Sequence, residues 1–144
     1  REDVAFINFF GGYFDVRDLL RAIVSRARFG EDGQESWEPS SQTVKTFNNH
    51  LIESVEGKED REVLTGVFVD REQPSPGEVE NLSPVGGVVY RLLKGVSLEE
   101  AGGLLDQLPE DFQEDLRSIS PSQNLGDLKA KMLIMHDAED NNVP

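Results

Sequence analysis

At 144 residues and 16.1 kDa the chain is long enough for one domain with a modest hydrophobic core, and its 37% hydrophobic content is not that of a chain too polar to fold in water. Lys and Arg total 14 against 28 Asp and Glu; the net charge of −14 is spread over both halves, so it repels polyphosphate and argues against a nucleic-acid partner. No cysteine is present, which excludes disulfides, thiolate zinc sites and a Cys nucleophile, and no apolar run nears the roughly 18 residues of a membrane span.

Val4-Ala5-Phe6-Ile7-Asn8-Phe9-Phe10, closed by Gly11-Gly12, is a short, nearly continuous apolar run. It predicts a strand buried on both faces, as in a parallel sheet. Asp15 can cap a helix whose apolar face carries Val16, Leu19, Leu20, Ile23, Val24 and Ala27, with Gly30 as its stop. Arg17, Arg21, Arg26 and Arg28 fall on the opposite face. They suit either an acidic group of a substrate or pairing with neighbouring carboxylates. Glu31 to Pro39 reads as a polar loop holding the single Trp37.

A second helix is expected from Ser40 or Ser41 to about Gly57, with Val44, Phe47, Leu51 and Val55 as its stripe, and a third from Asp60 to Val69. Pro74 and Pro76 break the pattern. Ser75-Pro76 and Ser83-Pro84 each place a capping hydroxyl before a proline at the first helical position. Ser97 with Glu100 forms a capping box for a helix over Leu98 to Leu108, and Pro109 opens another with Phe112, Leu116 and Ile119 on its face. Gly86-Gly87 and Gly102-Gly103 inside these helices point to local softness or close helix contact. After a loop over Ser120 to Gly126, Met132-Leu133-Ile134-Met135 reads as a second strand ending in polar turn formers. Two buried-type strands joined by a long helical crossover suggest a piece of a parallel α/β sheet whose crossover is enlarged into a subdomain.

Leu128 to Pro144 resembles the strand and following turn that carry the acidic member of the Ser-His-Asp triad in α/β-hydrolase-fold proteins. The family pattern is an apolar strand, His-Gly, two variable residues, Asp, two variable residues and Val-Pro. Here His136-Asp137-Ala138-Glu139-Asp140-Asn141-Asn142-Val143-Pro144 puts Asp140 in the acid's place and Asp137 in that of the customary glycine. Val4 to Asp15 resembles the preceding sheet strand, so the likeness of the two ends covers about thirty residues, and the helices between resemble the variable cap only in kind. The fold class implied is mainly α: residues 1–14 a core strand and Gly-Gly bend, 15–128 a helical cap, and 129–144 a second, parallel core strand with the acid-bearing turn. The nucleophile elbow Gly-x-Ser-x-Gly is absent. Since the family order is Ser, acid, His, the resemblance implies a fragment of a longer enzyme, inert alone, with the serine upstream of Arg1 and the histidine downstream of Pro144. It implies hydrolysis of an ester, amide or peptide bond in a small-molecule or peptide substrate, with no cofactor.

Other residues admit competing readings. His50 reads as a partly exposed surface histidine and His136 as packing at its strand's end, so neither is a candidate base. Asp137, Glu139 and Asn141 alternate like the start of a calcium loop, but Asn142 stands where that loop needs glycine. Gly11-Gly12 lacks the Lys-Ser/Thr of a phosphate loop. Trp37, Phe47, Phe68 and Tyr90 could line an acyl pocket or pack a helical core. The alternative function is a non-catalytic acidic helical module that binds a protein partner. Buried-type strands cut from their neighbours leave open edges, so the fragment is expected to dimerise. A chain without cysteine suits cytosol and periplasm, with the cytoplasm favoured.

Overall fold

The computed structural model runs β1 (Phe6–Phe10), α1 (Val16–Ser25), β2 (Ala27–Gly30), β3 (Gly33–Ser36), α2 (Ser41–Glu53), α3 (Lys58–Phe68), α4 (Pro76–Glu80), α5 (Pro84–Lys94), α6 (Leu98–Leu105), α7 (Glu110–Ser118) and β4 (Lys131–Met135). It describes residues 5–30, 32–123, 125–137 and 139–144; Val4, Glu31 and Ala138, which the sequence reading places in the first strand, the polar loop and the terminal turn, lie outside these. The fold is mainly helical, with two small sheets. Among the described residues no helix is long and apolar enough to cross a membrane.

The helix starts follow from their side chains. Asp15 Oδ1 accepts from the Arg17 and Asp18 amides at the head of α1, and Ser40, Ser75, Ser83 and Ser97 cap α2, α4, α5 and α6 in the same way. In α4 and α6 the box is reciprocal: Glu78 and Glu100 accept from the serine hydroxyl and the serine amide, and these hydrogen bonds hold both carboxyls below their ordinary range. α6 stops at Leu105, short of the expected Leu108, although Leu108 remains buried. Ile119 caps the C-terminal end of α7, beyond its last helical turn, and is exposed instead of sharing the face of Phe112 and Leu116.

The sequence reading needs a larger correction after α1. The helix ends at Arg26, which takes a left-handed conformation (φ 54°), and Ala27–Gly30 pairs antiparallel with Gly33–Ser36. The expected helical tail and polar loop are thus a β-hairpin. The reversal lies between Gly30 and Gly33, which pair with each other, and Gly33 takes φ 118°, a conformation glycine adopts without a side-chain clash.

The core lies among the helices. Leu20 of α1, Leu51 of α2, Leu64 of α3, Val89 and Leu92 of α5 and Leu105 of α6 are fully buried in one cluster; each such side chain contributes about 1.5–3 kcal/mol of transfer free energy. β1 and β4 form their own sheet, parallel, in register from Phe6 opposite Lys131 to Phe10 opposite Met135. Parallel pairing across a helical crossover is what the two apolar runs predicted. Burial on both faces is not: Phe10 is 75% and Ile134 63% exposed. Two strands supply one ladder, and among the described residues no layer covers both of its faces, so buried-type sequence stands in the open.

Candidate active site

Because β1 and β4 are parallel, both leave the sheet at the same edge, and the chemistry-bearing residues gather there. The pairing runs one residue past β1, where the Gly11 amide donates to the Met135 carbonyl at 3.0 Å, with Gly11 in the left-handed region (φ 59°). β4 leaves through His136 into the turn that carries Asp140. The Asp137 carboxylate accepts from the Glu139 amide at 2.9 Å, and the Asp140 amide donates to the Asp137 carbonyl at 3.1 Å. Asp137 therefore builds the turn through both its carboxylate and its carbonyl.

Asp140 is half-buried. Its Oδ1 accepts from the backbone amides of Asn142 at 2.7 Å and Val143 at 3.3 Å. Its Oδ2 lies toward β1's exit, 3.8 Å from where a Cβ on Gly11 would stand. One oxygen anchored by its own turn and a second turned to the sheet edge is a workable arrangement for a carboxylate that must orient another group. His136 bridges the turn, with Nε2 3.1 Å from the Val143 carbonyl oxygen. His50, on α2, is half-buried with its ring 5.1 Å from that of Phe112.

A cavity of about 310 Å³ opens at this edge. Gly12, Tyr13 and Phe14 of β1's exit, Leu19 and Ala22 of α1, Phe29 of the hairpin, and Ile134, His136 and Val143 around β4 give it a largely apolar wall. Asp15, Asp18, Arg21 and Arg28 add charge at the wall. Concave apolar spaces with a few polar groups are the usual form of a small-molecule site.

The four arginines do not share a helix face. Arg17 and Arg21 lie on α1, Arg26 follows it, and Arg28 is on β2. Arg17 pairs with Asp106 at 2.7 Å, Arg21 with Asp18 at 3.1 Å, Arg26 with Glu38 at 3.0 Å and Arg28 with Glu35 at 3.3 Å. Of the two readings open in the sequence, pairing with carboxylates is the one observed. Phe47, Phe68 and Tyr90 pack against the helical core, and Trp37 against α1; none of them lines the cavity. Tyr13, Phe14 and Phe29 take that place instead. Two of these follow β1 just after the Gly11-Gly12 bend, and that position was the signal available in the sequence. Among the described residues no three His, Cys, Asp or Glu side chains gather as metal ligands.

No family model, curated protein or solved structure matches the chain.

Proposed function

We propose that the chain is the cap-bearing segment of a serine-type α/β-hydrolase in which Asp140 is the triad acid. The observation that carries this reading is the parallel β1–β4 pair with a half-buried carboxylate on the turn after β4 and a helical insertion between the strands. The reaction would be acyl transfer to water. The serine oxygen attacks the substrate carbonyl as its proton passes to the histidine, the leaving group takes that proton, and water then releases the acyl group from the serine. Asp140 would fix the histidine's tautomer and stabilise the imidazolium. The cavity beside the turn offers the substrate an apolar wall, and the helices over it shape access. Serine and histidine belong to the complete protein, before Arg1 and after Pro144.

The test uses the complete protein and a fluorophosphonate probe, with the modified residue located by mass spectrometry. We expect a serine N-terminal to Arg1 to be labelled, and Asp140→Asn to lower kcat by about 10⁴-fold. Absence of any labelled serine, or full activity in the folded Asp140→Asn variant, overturns the hydrolase reading. The self-contained helical core then favours the acidic helical module that binds a protein partner.

A further inference from the structure

Trp37 is the chain's single tryptophan, only 6% exposed and packed against Leu19, Ala22 and Ile23 of α1. Its Nε1–H donates to the backbone carbonyl of Asp140 at 3.0 Å. Three residues on, the cap of α2 grips the next two residues of the same turn. The Ser40 amide donates to the Asn141 carbonyl at 2.6 Å, while the Ser40 and Thr43 hydroxyls reach Asn142 Oδ1 at 2.8 and 3.1 Å. Four hydrogen bonds from residues 37–43 thus converge on three consecutive residues about a hundred positions away in sequence. The turn in turn uses its own amides to hold Asp140 Oδ1.

The far end of the helical segment makes the complementary contact. Ser120 Oγ accepts from the Val16 amide at 3.0 Å, the Ser122 amide donates to the Phe14 carbonyl at 2.9 Å, and Ser122 Oγ donates to Asp15 Oδ2 at 2.8 Å. The start of the insertion holds the exit of β4, and its end holds the exit of β1. Neither strand exit can shift without breaking contacts to the helical segment.

We infer that Trp37 and the N-cap of α2 are positioning residues for Asp140: their clasp on the turn aims the free carboxylate oxygen, so docking of the helical segment and orientation of the acid are one event. The clasp stands on its own geometry, whereas its catalytic consequence rests on the hydrolase reading above. Trp37 holds the turn through the Asp140 backbone carbonyl, and the Ser40 and Thr43 hydroxyls hold it through the side chain of the exposed Asn142, so the grip extends beyond what packing of the ring alone would require.

The single indole N–H gives one signal in a ¹⁵N-labelled chain. We expect its exchange with solvent to be slow, and Asn142→Ala to accelerate it about tenfold by opening the clasp locally, while the fluorescence maximum stays that of a buried ring. Free exchange in the unaltered chain, or unchanged exchange in folded Asn142→Ala, overturns the clasp. In the complete protein Trp37→Phe, which keeps an aromatic ring without the donor, should lower kcat about 10- to 100-fold with KM within about twofold. Asn142→Ala should shift kcat the same way and serves as the readout if Trp37→Phe does not fold. A labelled serine with unchanged kcat in these variants overturns the positioning role alone; failure to label any serine overturns the hydrolase reading and leaves the exchange result to decide the clasp.

Discussion

Ser120 is 1% exposed and uses its hydroxyl twice, donating to the Leu116 carbonyl at 2.7 Å and accepting from the Val16 amide at 3.0 Å. The second bond satisfies one of the amides that every helix leaves unpaired in its first turn. Ser120→Ala therefore strands a buried donor at the head of α1 and should cost about 1–3 kcal/mol, read as a lower urea midpoint with unchanged slope. An unshifted midpoint would mean that water takes the hydroxyl's place. Ser120 and Trp37 also show what single residues hide in sequence. The turn that carries Asp140 was legible because an apolar strand precedes it and polar turn formers crowd it within a dozen positions, and the structure has β4 followed by that turn. Val16 lies 104 positions from Ser120 and Asp140 lies 103 from Trp37, and no local pattern marks such contacts.

Helix starts were legible for the opposite reason. Serine before proline, or serine three residues before glutamate, settles an N-terminus with groups that adjoin in sequence. The hairpin was not, since Ala27 continues the helical spacing of α1 and a four-residue strand offers too little alternation to outweigh it. Only the glycine pair of α5 divides. A Cβ on Gly87 or Gly103 would meet nothing within 4 Å, whereas one on Gly86 would clash with the Asp60 carboxylate that supports the Ser83 cap. Gly87→Ala and Gly103→Ala should each raise stability by about 0.5–1 kcal/mol, and Gly86→Ala should lose that gain by displacing Asp60. Thermal melts of the three variants test the division; equal gains at all three positions would show that Asp60 moves without cost.

For the molecule as a whole, parallel pairing could be read from two apolar runs and the helical span between them, but their exposure could not, because it depends on which layers surround the sheet. Apolar strands with open edges recruit other chains. The isolated chain should associate as its concentration rises, more readily in salt that screens the charge of −14. Sedimentation velocity should show that association weaken in Phe10→Lys and Ile134→Lys; a monomer at all concentrations would refute it. The register carries a further consequence, in time. Phe6 must find Lys131, 125 positions later. At about 5–20 residues per second of synthesis, β1 waits roughly 6–25 s for its partner to be made. Meanwhile the helices, whose contacts are closer in sequence, can form first. Closure of the strand pair is then a late step, and until then the unpaired edge of β1, with Ile7 and Phe9 that the pair half-covers, depends on chaperones or on other strands for cover.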